Sequence, residues 1–79
     1  MADNQYNNVR SEFGFVVFDP YGGGEYQLRV HPDDVRQVET RALCAEVTLT
    51  GGRVIHVFVP ATTIVVTVAQ TLRERRQQP

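Results

Sequence analysis

The stretch LCAEVTLTGGRVIHVFV, residues 43–59, decides the fold because apolar and polar residues alternate on both sides of a pair of glycines. Alternation with a period of two is typical of strands that bury one face. Gly51 and Gly52 readily adopt the positive φ angles of a tight turn. The two alternating runs therefore predict an antiparallel hairpin.

The register of this hairpin follows from the side on which the aliphatic residues fall. A loop of two glycines would place Val47 opposite His56. A three-residue loop that includes the preceding threonine places Val47 opposite Ile55 and collects nearly all the aliphatic side chains on one face. We predict the three-residue loop, as a type I turn with Gly52 in the left-handed position of a bulge. Glu46 and His56 then become cross-strand neighbours on the other face.

A second predicted strand, FGFVVFD at residues 13–19, is apolar on both of its alternating faces. Such a pattern fits a strand that is buried on both sides, whereas a single helix covers only one face of a sheet. Two interpretations remain open. The sheet curls and encloses the strand, or an exposed surface containing Val16, Phe18, Val54 and Phe58 binds another protein or a second copy.

The remaining elements are placed by turn residues and by periodicity. The cluster DPYGGG at residues 19–24 predicts a turn that pairs residues 25–30 with the preceding strand. Residues 31–34, HPDD, break the sheet. Residues 35–39 fit a helical turn or a short strand, and we favour a turn that leads into a short strand.

A C-terminal helix is predicted from the spacing of four apolar residues, Ile64, Val65, Val68 and Leu72, which fall on one helical face. The β-branched run at 63–68 favours a strand instead. The strong helix formers that follow it decide for the helix.

Together these elements predict an α+β fold, an antiparallel sheet of four or five strands, open or curled, with one C-terminal helix. The polar segment MADNQYNNVR, residues 1–10, is expected to be a flexible arm. Residues 11–76 form the single domain that a chain of 79 residues allows, and residues 77–79 are expected to fray.

Composition argues against several function classes. The net charge is −1, and a single cysteine excludes an internal disulfide. Neither a signal peptide nor an apolar stretch long enough to cross a bilayer is found, so we expect a cytoplasmic protein without membrane contact. Cys44 and His56 on neighbouring strands do not suffice for a catalytic pair, because a catalytic cysteine needs both a base and an electropositive setting. His31, Asp33 and Asp34 are explained by turn chemistry, so we predict no enzyme activity, no metal and no cofactor.

The basic C-terminal residues support an alternative function. Arg73, Arg75 and Arg76 could contact phosphates and make the chain a nucleic-acid-binding protein. Basic residues in the last turn of a helix also complement the helix dipole, which is the more common reason for them.

The layout of the chain resembles the FlbD-type small proteins of flagellar operons, and similar layouts occur in small phage and mobile-element proteins. The matching segments are a short apolar strand, a glycine turn, a proline step, a hairpin turn and a final helix. They are residues 15–18, 24–28, 31–35 with 38–39, 47–52 and 64–72. The resemblance implies a non-catalytic accessory role and carries over no site residue.

These observations lead to one functional expectation. We predict a small accessory or regulatory protein, encoded by a phage or mobile element, that acts through protein–protein contact and forms a homodimer. The two-sided apolar strand and the mixed charge of the chain are the observations behind it.

Overall fold

The structure, a computed structural model, describes residues 4–22 and 26–77. Its strands and helices follow one another in the order β1 (Gln5–Glu12), β2 (Phe15–Pro20), β3 (Leu28–Val30), a short 3₁₀ helix (Pro32–Asp34), β4 (Val35–Thr40), β5 (Ala45–Leu49), β6 (Val54–Val57) and α1 (Ala61–Gln77).

Within these residues the strands form one six-stranded sheet in the order β3-β2-β1-β6-β5-β4. Two antiparallel meanders, β1 to β3 and β4 to β6, are joined where β1 and β6 run parallel, with Gln5 beside His56 and Tyr6 beside Val57. The predicted α+β class is confirmed. The predicted sheet of four or five antiparallel strands is wrong, because the sheet has six strands and mixed direction.

The additional strand is β1, and it replaces the flexible arm predicted for residues 1–10. Of that segment, residues 1–3 lie outside the described part of the chain. The rest pairs along its length with β2 and at its start with β6. Tyr6 and Val9 are buried in the core, and Asn7 sits at an irregularity in the pairing. The polar composition was misleading because a central strand satisfies its backbone on both sides and needs few apolar side chains.

The register predicted for the hairpin of residues 43–59 is confirmed. Val47 lies opposite Ile55, and Glu46 lies opposite His56. Val47 and Ile55 are fully buried, while Glu46 and His56 are half-buried on the other face. The period-two pattern therefore assigned the two faces correctly.

The turn of this hairpin has the predicted length and a different type. The amide of Gly52 donates to the carbonyl of Leu49 at 3.0 Å, and Gly52 has the predicted positive φ, 89°. Gly51 also has a positive φ of 93°, whereas a type I turn needs about −90° at that position. Two consecutive glycines allow this conformation without steric cost.

The sheet is curled, as the connection between its two edges shows. β3 and β4 are five inter-strand spacings apart, which is about 24 Å in a flat sheet. Only residues 31–34 connect them, and five residue steps span at most about 18 Å. The sheet must therefore bend toward α1, which contacts β1, β2 and β4 on one face. Residues 35–39, for which we favoured a turn leading into a short strand, are strand throughout as part of β4, and the turn precedes them as the 3₁₀ helix.

The burial of β2 decides between the two interpretations of the strand that is apolar on both faces. Val16 and Phe18 are fully buried with α1 residue Ile64, so they cannot belong to an exposed partner surface, and that part of the prediction is wrong. Val17 on the opposite face is fully buried as well. It lies between Arg10 and Arg29 on the neighbouring strands. Ion-paired side chains, and not a second apolar layer, thus cover that face.

The buried face of the helix overlaps the predicted one only in part, because Ile64 is buried as predicted and Val68 packs against the core. Its fully or nearly buried residues are Ile64, Thr67 and Thr71. Thr67 donates to the Thr63 carbonyl at 2.7 Å, and Thr71 is 2.7 Å from the Thr67 carbonyl. Because their hydroxyls are hydrogen-bonded, these threonines are buried at little cost. Val65, predicted to be in the core, is exposed instead.

Candidate functional site

An apolar surface occupies one end of the sheet, where the β4–β5 turn meets the segment between β6 and α1. Residues 40–44 and 58–61 line a cavity of about 390 Å³ there. Leu43 projects beside it and is 85% exposed. The ring centres of Phe58 and Tyr21 lie 5.0 Å apart. We call Tyr21, Leu43 and Phe58, with this cavity, the Phe58 surface.

The start of β1 positions both aromatic residues. The amide of Tyr21 donates to the Gln5 carbonyl at 3.0 Å, which fixes the end of β2. The amide of Phe58 donates to the Tyr6 carbonyl at 2.9 Å and continues the parallel pairing beyond β6. The two rings therefore meet because consecutive residues of β1 hold their backbones.

Leu43 owes its exposure to the turn that carries it. The amide of Arg41 donates to the Cys44 carbonyl at 2.9 Å, so Ala42 and Leu43 form the tip of a tight turn. The tip of the turn holds the Leu43 side chain away from the sheet, so most of that side chain stays exposed. Its exposure therefore follows from local geometry.

Next to this surface, the outer face of β4, β5 and β6 carries a cluster of charges around Glu46. Arg41 donates to both carboxylate oxygens of Glu46, at 3.2 and 3.3 Å, and pairs with Glu39 at 2.7 Å. His56 Nε2 lies 3.6 Å from Glu46 Oε2. The hydrogen bond from Arg41 and then the positive charge of Arg41, with a smaller contribution from His56, lower the pKa of Glu46 below the ordinary value of a glutamate.

This lowered pKa predicts how the ion pair contributes to stability at acid pH. A carboxylate with a lowered pKa in the folded state stabilises the fold above the ordinary value, and that contribution disappears as the pH falls below about 4. In Arg41→Gln we expect the pKa of Glu46 to rise toward the ordinary value of a glutamate. NMR titration of the Glu46 carboxyl group measures this change. Arg73→Gln, on the exposed side of α1, is the control. Equal Glu46 titration curves in wild type and Arg41→Gln would contradict the assignment.

A second charged cluster covers Val17 on the other half of the sheet. Arg29 donates to Glu12 at 2.8 Å, and Arg10 pairs with both Glu12 and Asp19. Opposite charges are matched in number in this cluster. Its role is therefore to cover the strand, and it offers no excess charge to a ligand.

The residues predicted to bind a partner are separated by the fold. Phe58 lies on the Phe58 surface, whereas Val16 and Phe18 are in the core. Val54 is half-buried on the outer face and pairs with Thr48. Leu43 and Tyr21 were missed, since the exposure of Leu43 and the contact of Tyr21 with Phe58 depend on the folded chain.

The cysteine and histidine considered for catalysis are not direct cross-strand partners. His56 pairs with Glu46, and the same register places Cys44 opposite Phe58. Cys44 is half-buried and lines the cavity. The absence of enzyme activity stays a prediction.

The three arginines of the nucleic-acid alternative differ in their surroundings. Arg75 Nε donates to the Gly14 carbonyl at 2.5 Å, and its guanidinium lies 4.9 Å from the centre of the Phe15 ring. It therefore fastens α1 to the β1–β2 turn. Arg73 and Arg76 are exposed. Nucleic-acid binding stays a prediction, with Arg75 already engaged within the fold.

Residues 4–22 and 26–77 contain no group of three or more metal-binding side chains, and none of their helices could cross a membrane. Comparisons with protein-family models, curated proteins and solved structures found no match to this α+β chain. The resemblance to the FlbD-type proteins stays a prediction.

Proposed function

We propose that this α+β protein is a small non-enzymatic accessory or regulatory protein that acts through protein–protein contact at the Phe58 surface. The supporting observation is an exposed leucine beside an apolar cavity and a pair of aromatic rings that contact each other at a tilt. An origin in a phage or mobile element is part of the same proposal and rests on the layout of the sequence alone.

The chemistry of the surface suits an apolar anchor of a partner protein. Burying Leu43, which is 85% exposed, would contribute roughly 1.5–3 kcal/mol, whereas Phe58, which is 37% exposed, would contribute less. Few residues usually dominate binding, and they sit in apolar pockets with polar rims. Arg41, which lines the same cavity, supplies such a rim through a guanidinium that Glu46 and Glu39 hold in place.

The proposal is tested by retention of host proteins on the immobilised full-length chain. Leu43→Asp is compared with Tyr26→Asp, since these two apolar residues are 85% and 83% exposed and only Leu43 belongs to the Phe58 surface. We expect a protein retained by wild type and by Tyr26→Asp to be lost at least about tenfold with Leu43→Asp. Equal retention by all three proteins, or no specific retention by wild type, would contradict the proposal.

A further inference from the structure

The edge strand β4 presents unpaired backbone groups along one side. Among the described residues its only sheet neighbour is β5. The amide of Arg41 bonds to the Cys44 carbonyl, so the backbone groups of Arg41, and by alternation those of Glu39, point toward β5. The amides and carbonyls of Val38 and Thr40 therefore point away from the sheet.

An apolar groove lies along the same edge, between β4 and α1. It has a volume of about 250 Å³, and four valines contribute to its lining, Val35, Val38, Val65 and Val68. Because α1 turns its threonines toward the sheet, Val65 remains 54% exposed. The fold thus places a free strand edge and an uncovered valine cluster side by side.

We propose that a second copy of this chain occupies this edge, with the two β4 strands antiparallel about a two-fold axis at Val38. When the two-fold axis is perpendicular to the sheet, the α1 face of one copy continues into the α1 face of the other. Because side chains alternate between the two faces, a residue can then pair only with a residue of the second copy that is an even number of positions away in sequence. With the axis at Val38, its outward amide and carbonyl bond to those of Val38 in the second copy.

The side chains of β4 favour this register. Gln37 lies opposite Glu39 of the second copy, so its amide can donate to the carboxylate, and Arg36 lies opposite Thr40. No like charges face each other. An axis at Glu39 would place two carboxylates in contact and would use backbone groups that already bond to β5.

The helices complete the interface. A stable dimer buries about 800 Å² on each copy, which is more than one strand of six residues supplies. The two-fold axis places both α1 helices on the same face of the continuous sheet, beside the axis. The valine clusters of the two copies then cover each other, and Val65 approaches Val65 of the second copy.

This dimer deepens the contact function proposed above and uses different residues. β4 and the valine groove form it, whereas the Phe58 surface remains free for another protein. The mass of the chain in solution therefore tests the dimer, and host-protein retention tests the Phe58 surface. Leu43→Asp should leave the mass unchanged.

A matched pair of helix variants tests the groove. Val65→Glu and Val66→Glu place the same charge on neighbouring residues that are 54% and 61% exposed, and only Val65 lines the groove. By light scattering and sedimentation, we expect wild type and Val66→Glu to have the dimer mass and Val65→Glu to have half of it. A monomeric wild type, or a dimer that survives Val65→Glu, would overturn the proposal.

Cross-linking tests the register and remains decisive if Val65→Glu does not fold. In a Cys44→Ser background, Val38→Cys places two thiols on residues about 5.5 Å apart between Cα atoms, within disulfide reach. The thiols of Thr40→Cys would be too far apart. We expect an oxidised dimer from Val38→Cys alone. Absence of this dimer, or equal cross-linking at both positions, would overturn the register.

Discussion

Removal of residues 1–10 is expected to abolish the cooperative folding of this protein. The deletion takes away most of β1, the strand that joins the two meanders by pairing with β2 and with β6. It also removes Tyr6 and Val9 from the core and opens two sheet edges. A domain of this size has few kilocalories to lose, since stability is about 0.05–0.15 kcal/mol per residue. Urea titration followed by circular dichroism should show no folded baseline.

Two point variants separate the loss of β1 from a general effect of truncation. Val9→Asp places a carboxylate in the core, where an unpaired charge is strongly destabilising. Asn7→Asp adds the same group at an exposed position two residues away. We expect the first to lose several kcal/mol of unfolding free energy, about 3 or more, and the second to stay near wild type. A truncated chain that unfolds at the wild-type urea midpoint would instead support the prediction that residues 1–10 are a flexible arm.

β1 also shows why the sequence alone did not predict every strand of the sheet. The hairpin at 43–59 could be predicted in register because its alternation and its glycines agree. β1 carries Tyr6 and Val9 among asparagines, so neither hydrophobicity nor periodicity marks it. It is a strand because its two neighbours supply hydrogen-bond partners, and that information is spread over the whole chain.

The helix was placed correctly and its orientation was predicted only in part, for a related reason. Apolar periodicity selected Ile64, which is buried, and Val65, which is exposed, while the fold buries Thr67 and Thr71 beside Ile64. Thr71 is also 2.8 Å from the hydroxyl of Ser11 on β1, a contact between residues far apart in sequence. Hydrophobicity scales assign a fixed cost to a buried hydroxyl, whereas the real cost depends on the partner that the fold provides.

The candidate site was predicted only in part. Phe58 was singled out correctly as an exposed apolar residue, but its assigned neighbours Val16 and Phe18 face the opposite side of the sheet. The curl of the sheet encloses those two residues under α1. The curl follows from the short link between β3 and β4, and that link has meaning only once the strand order is known.

Phe18→Ala provides the sharpest test of this assignment. The ring of Phe18 is fully buried and lies 6.0 Å from the ring of Tyr6, so truncation leaves a cavity that costs about 3–5 kcal/mol of unfolding free energy. Phe13→Ala is the matched control, because Phe13 lies exposed in the β1–β2 turn. Urea denaturation should show a large loss for Phe18→Ala and little change for Phe13→Ala. If Phe18 were instead on a partner surface, the isolated chain would tolerate both substitutions equally.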